Sequence, residues 1–231
     1  MLQVVEDFAA PMWGPGYSGP SGGIVHPGVS HYKHRFGGSS WVVDDPTPAF
    51  GGPALLFAFD LADPLFANLH LDGLDYLPLC SYIACDVWAA PQVYQIDPGQ
   101  KAVRLLERAE PATEARLTQF ARGLPEKTVL IEPMTADDYP TTEELYCRAI
   151  DQFFGWGNRF IRVLGAPLWV NGVTTVTCNC GNRMIYVCGM GYEISRSYSQ
   201  LINNYPVFFG EGAIYWFVCS RCFIVAVVSH T

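Results

Sequence analysis

Two short thiol pairs in the last quarter of the chain constrain the fold more than any other feature. One is Cys178-Asn179-Cys180 followed by Gly181, and the other is Cys219-Ser220-Arg221-Cys222. Each adjoins an apolar run rich in β-branched and aromatic residues, Met184 to Cys188 and Ala213 to Val218, and such runs read as strands. Four thiolates converge on a tetrahedral Zn²⁺ at about 2.3 Å only if two tight turns bring the pairs together. Gly181 supplies the backbone freedom that the first turn needs. The spacing is C-x-C then C-x-x-C with 38 residues between, an asymmetric form of the usual double pair. A zinc-ribbon-like site of Cys178, Cys180, Cys219 and Cys222 is the expectation, with Zn²⁺ as a structural cofactor.

Two other readings of the cysteines stay open. Free Cys is among the most buried residue types, and this reading is favoured for Cys80, Cys85, Cys147 and Cys188, which lie in apolar surroundings. A disulfide set requires an oxidising compartment. The acidic Glu6 and Asp7 stand where a secretory leader carries positive charge, so the expected site of action is the cytoplasm. No stretch reaches the roughly 18 consecutive apolar residues of a membrane span.

Three segments carry a resemblance: Arg162 to Val170, Cys178 to Met184, and Gly212 to Cys219. Together they resemble the YwqG-like family of bacterial proteins of unknown function. That family is distantly similar to the C-terminal domain of programmed-cell-death-two proteins. The likeness spans about residues 33–95 and 160–228. It departs from the family pattern at Ala166, where a second Gly is usual, and in the C-x-C form of the first pair. It implies a fold more firmly than an activity.

An internal echo accompanies it. Phe36-Gly37-Gly38-Ser39-Ser40-Trp41-Val42 aligns with Leu164 to Val170 at an offset of 128, and Leu55 to Phe59 aligns with Met184 to Cys188 at 129. The pattern predicts two related sheet modules, about 33–100 and 160–231, with Trp41 and Trp169 in equivalent buried positions. Ala54–Asp60, Leu77–Asp86 and Pro91–Asp97 read as consecutive antiparallel strands. A helical connector over about 111–155 contains an amphipathic stretch, Thr113 to Arg122. It also contains a capping box with Thr141 as N-cap and Glu144 at N3, whose helix buries Leu145, Ile150, Phe153 and Phe154 and stops at Gly155. Residues 11–30 hold four Pro and six Gly, so residues 1–32 are expected to be an irregular or extended arm ahead of one globular domain, 33–231. The fold class expected is β-rich α+β.

Charge narrows the function. Residues 1–100 hold ten acids against Lys33 and Arg35, and the rest of the chain balances twelve acids with twelve bases. All of the net charge of −8 therefore sits in the first half, which speaks against nucleic acid and allows a basic protein partner, the commoner use of such a surface being solubility alone. The partner-binding candidates are Asp44, Asp45, Asp60, Asp63, Asp72 and Asp75, near expected turns. A rival face is Asp137, Asp138, Glu143 and Glu144, which also favour a helix start.

Catalytic motifs are sparse. Gly19-Pro20-Ser21-Gly22-Gly23 matches G-x-S-x-G in letters but lacks the strand-to-helix setting that makes it a nucleophile. His26, His31 and His34 lie among Pro and Gly, where no helix would align them on a metal. There is no phosphate-binding loop and no H-E-x-x-H, and a four-thiolate zinc leaves no open position for water. The expectation is a non-enzymatic binding protein. The favoured form is an immunity protein that neutralises a cognate bacterial toxin, as the family resemblance suggests. The alternative is a chaperone or adaptor for a basic client such as a ribosomal protein.

Overall fold

A computed structural model describes residues 2–13, 21–45, 52–82, 91–108, 124–153, 159–191 and 212–230. Fourteen strands are found among them: β1 (Gln3–Asp7), β2 (Gly22–Pro27), β3 (Arg35–Phe36), β4 (Val42–Asp44), β5 (Ala54–Asp60), β6 (Tyr76–Ser81), β7 (Gln92–Asp97), β8 (Ala102–Glu107), β9 (Lys127–Pro133), β10 (Ile161–Leu164), β11 (Val173–Thr177), β12 (Ile185–Met190), β13 (Ala213–Cys219) and β14 (Ile224–His230). One α-helix, α1 (Glu143–Asp151), accompanies them. Twelve strands form one sheet in the order β4-β8-β7-β14-β13-β12-β10-β2-β9-β3-β5-β6, and β1 and β11 form a separate pair. The chain is β-rich, as expected.

The sheet curls almost closed around an apolar interior. Along β13, Ile214, Trp216 and Val218 enter that interior, while Tyr215, Phe217 and Cys219 lie in a second cluster on the outer face. The side-chain period of two dictates this split. Because both faces are covered, every residue of β13 is buried, which explains an unbroken apolar run in place of alternation. The outer cluster is closed by Tyr146 and Phe153, by Leu168 and Trp169, and by Val176 of β11. At the closing seam the Tyr82 N–H donates to Gln92 Oε1 at 2.9 Å, and the Trp216 indole N–H donates to the Cys80 carbonyl at 2.9 Å.

Several expectations are corrected here. Residues 11–30 are not wholly irregular: β2 runs through the middle of the sheet, between β10 and β9. Its glycines reflect closeness, because a Cβ on Gly23 would lie 2.1 Å from Ile131 Cγ2. The described part of the connector, residues 124–153, is not helical throughout either. Thr128 to Ile131, bracketed by Pro125 and Pro133, lie in β9, which joins β2 to β3. β5 and β6 pair antiparallel as expected, but β7 pairs with β14 and β8 and not with β6. The helix is capped by Thr142, whose Oγ1 accepts from the Leu145 N–H at 3.3 Å, which moves the frame one residue past Thr141. That shift turns Tyr146 inward and leaves Leu145 39% exposed. Phe153 is buried, and Ile150 packs at the edge of the outer cluster. The expected Thr113–Arg122 stretch, Phe154, Gly155, Cys85 and Gly19-Pro20 fall outside the described residues.

Trp41 and Trp169 are each only 7% exposed. They serve different clusters, however, Trp41 the interior and Trp169 the outer face. Both follow a glycine in the left-handed region, Gly37 at φ +68° and Gly165 at +63°. At Gly37 any side chain would also press on the Pro125 carbonyl at 2.4 Å.

Candidate metal centre

The four expected cysteines meet. β11 delivers Cys178 one residue past its end, and a tight turn follows, in which the Gly181 N–H donates to the Cys178 carbonyl at 2.8 Å. The Cys178 N–H in turn donates to the Asn182 carbonyl at 2.9 Å, and Gly181 takes φ +85°. β13 ends on Cys219. The turn to β14 carries Cys222 and closes with the Phe223 N–H on the Cys219 carbonyl at 2.9 Å, Phe223 being left-handed at φ +53°. The four ligand sulfurs lie within 4.8 Å of one another, with Cys180 Sγ and Cys219 Sγ 3.6 Å apart. Tetrahedral bonds of about 2.3 Å put sulfurs about 3.8 Å apart, so the cluster is sized for one such ion. Cys178 and Cys219 are buried, and Cys180 and Cys222 half-buried. Among the described residues no other group of three or more His, Cys, Asp or Glu side chains is placed to share a metal.

The thiols divide their protons unevenly. The Asn182 N–H holds the Cys180 thiol down to about 7, and hydrogen bonding to Cys180 pushes Cys222 up to about 12. Burial raises Cys178. A metal ion would draw all four into the thiolate form and release their protons. All-thiolate donors fit Zn²⁺ and leave it no open position. Cys80 and Cys188 lie fully buried elsewhere, their thiols raised by desolvation, and Cys147 is exposed.

The acids expected to bind a partner do not form one patch. Asp60, Asp63, Asp72 and Asp75 gather at the β5–β6 connection, where the Leu61 N–H donates to the Asp75 carbonyl. Asp44 and Asp45 lie at β4, and Asp45 accepts a bond from the Tyr82 hydroxyl just past the other end of β6. At ~3.3 Å per residue, β6 puts the two groups roughly 20 Å apart. Two of the acids hold the fold. Asp63 caps a 3-10 turn through the Leu65 N–H at 2.9 Å and takes a hydrogen bond from buried His34 Nε2 at 3.1 Å. Asp60 accepts from the Lys33 N–H, and its own N–H donates to His34 Nδ1 at 3.1 Å. That donation makes His34 the Nε2–H tautomer, a structural staple. His26 faces Glu132 and His31 is exposed, so the three histidines do not converge. Asp44, Asp72 and Asp75 are the exposed members of the set. In the rival face Asp138 is buried under Arg159.

One buried titratable group behind the outer cluster escaped sequence reasoning. His230 is 1% exposed, with Nε2 2.8 Å from Thr174 Oγ1, its ring against Tyr215, and Nδ1 without a partner. Desolvation lowers its pKa to about 4. The folded state therefore holds it neutral, and stability present above pH 6.5 is lost as pH falls toward 4. The loss comes to on the order of 3 kcal/mol. Unfolding free energies measured from pH 7 to pH 4 should fall less steeply in His230→Gln. Parallel slopes would count against this assignment.

Comparison with protein-family models, with curated proteins and with solved structures finds no match to this chain.

Proposed function

We propose that this chain is a zinc-stapled, protein-binding member of the YwqG-like kind. In our reading it is an immunity protein that neutralises a bacterial toxin by direct contact. The observation that carries the staple is the convergence of two turns, from β11 and from β13, on one set of four sulfurs. Zinc is the assignment because four thiolates in a closed tetrahedron suit it best. Held there, the ion ties the outer β1·β11 pair to the main sheet and stiffens one side of the protein. Rigid surfaces bind with less ordering cost, which suits an inhibitor acting by contact alone.

The internal duplication belongs to the same reading. Outward from the central β2·β9 pair, the sheet continues β10-β12-β13 on one side and β3-β5-β6 on the other. Gly37 and Gly165 share their left-handed turn after β3 and β10. Arg35 faces Ala58, and Val163 faces Cys188, so the longer strands correspond at an offset of 130 where the shorter ones correspond at 128. On this view the strand preceding each module, β2 or β9, pairs with the first strand of the other module, β10 or β3.

A basic partner is favoured by exposed Asp72 and Asp75, beside each other in the β5–β6 connection. Rim charges act mainly on encounter. Asp72→Lys with Asp75→Lys should slow association several-fold at low salt and lose its effect at high salt, read by stopped-flow or surface binding. An on-rate flat across salt and across variants would remove the acidic loop from the interface. Co-purification with the product of an adjacent gene encoding a secreted toxin would support the immunity reading. Capture of a ribosomal protein instead would favour the chaperone alternative.

A further inference from the structure

A buried guanidinium that forms no ion pair among the described residues marks a second site. Arg162 lies on β10 between Ile161 and Val163, whose side chains enter the sheet interior, so its own emerges on the outer face. It is 2% exposed. Nη2 donates to the Asp138 carbonyl at 2.6 Å and touches Met134 Sδ, while Nε is buried with no partner. Among the described residues no carboxylate forms an ion pair with it. Asp138 is already committed: Oδ1 accepts from Arg159 Nε at 3.0 Å and from Nη2, and Oδ2 accepts from the Thr135 N–H at 2.8 Å and its hydroxyl at 3.1 Å. Guanidinium does not shed its proton in proteins, so the positive charge stays. Buried charges ordinarily have a partner.

The space beside Arg162 is built for one. A cleft of about 870 Å³ runs between residues 135–141, α1 and β10. Arg148, Arg159 and Arg162 line it, with Thr141 and Gln152 as neutral donors and Asp137 and Asp138 as its acids. Among the described lining residues Arg159 is paired with Asp138 and Arg148 with Glu144 at 3.1 Å, which leaves Arg162 as the cation without an ion pair. A carboxylate is satisfied by one guanidinium fork, whereas a tetrahedral dianion takes donors from several directions. We propose that this cleft binds a phosphate group, as inorganic phosphate or as a small phosphomonoester, with Arg162 at its floor and Arg148 and Arg159 at its walls.

The experiment uses the full-length, metal-loaded protein, titrated with inorganic phosphate and with phenyl phosphate against sodium chloride of equal ionic strength. Saturable heat and a rise in melting temperature beyond the chloride control are expected. Tighter binding of phenyl phosphate than of phosphate would assign the site to esters, and the reverse to the free ion. Arg162→Met, an apolar side chain of similar length, should weaken binding about 10- to 100-fold yet melt no lower than wild type in phosphate-free buffer. Arg148→Gln, on the exposed side of α1, gives a second reading should Arg162→Met misfold, and should weaken binding severalfold without moving the phosphate-free melting temperature. Phosphate that stabilises no more than chloride, or that binds the variants as well as wild type, overturns the proposal.

Discussion

Replacing Cys219 with Ser is expected to release the metal and lower the melting temperature by at least several degrees. The wild-type chain should carry one zinc. Cys219 is fully buried at the end of β13, and its sulfur lies 3.6 Å from that of Cys180. A serine there offers a hard oxygen where the ion takes soft sulfur. Binding of a structural zinc by four thiolates is worth about 10–16 kcal/mol in small domains, where the binding energy is folding energy. Here the sheet interior supplies a large core of its own, so loosening should centre on the β11 turn, the β13–β14 turn and the β1·β11 pair. Hydrogen exchange would then rise in Gln3–Asp7 and Val173–Thr177 before it rises in β5 or β12. Exposed Cys147 is the control, and Cys147→Ser should keep both metal and stability. Elemental analysis finding no metal in protein purified without chelator would sink the assignment.

The sequence disclosed local elements well and long-range partnerships poorly. The bounds of β5 were readable as Ala54–Asp60 because an aromatic and aliphatic run ends there in Asp. The four cysteines were readable because thiol pairs at turns leave few options. β2 and β9 were not, although they pair with each other across more than a hundred residues. Gly22-Gly23 and Pro27 in one, and Pro125 and Pro133 beside the other, are the residues that usually mark loops. In this sheet the glycines permit close apposition and the prolines sit where the strands end. The Thr128 to Ile131 run carried the signal that outweighs its flanks. Arg162 was hidden for another reason: a lone Arg between Ile and Val announces neither burial nor a cleft. Asp60 and Asp63 show the converse, since an acid near a turn can serve its own backbone or a histidine as readily as a partner.

Trp216→Ala should be the most damaging single change in the sheet interior, costing ~3–5 kcal/mol. The indole is completely buried, packs edge-on against Phe57 at 6.2 Å between centroids, and spans the interior to reach the Cys80 carbonyl. Truncation leaves a cavity and also leaves that carbonyl without its donor. Since whole domains are stable by only about 5–15 kcal/mol, a loss of this size is a large part of the total. Trp216→Phe separates the two contributions: most of the ring volume remains, and the missing N–H should cost about 1–1.5 kcal/mol. Both are read from urea midpoints at an unchanged slope, so that a shift in midpoint reports native stability and not a more compact denatured chain. Trp216 also bears on the closing seam. β6 and β7 do not share a ladder, so the strands there are held by side chains: Gln92 to Tyr82, and Trp216 to Cys80. If Trp216→Ala costs less than about 1 kcal/mol, the interior is not the close-packed core described, and the seam does not depend on this indole.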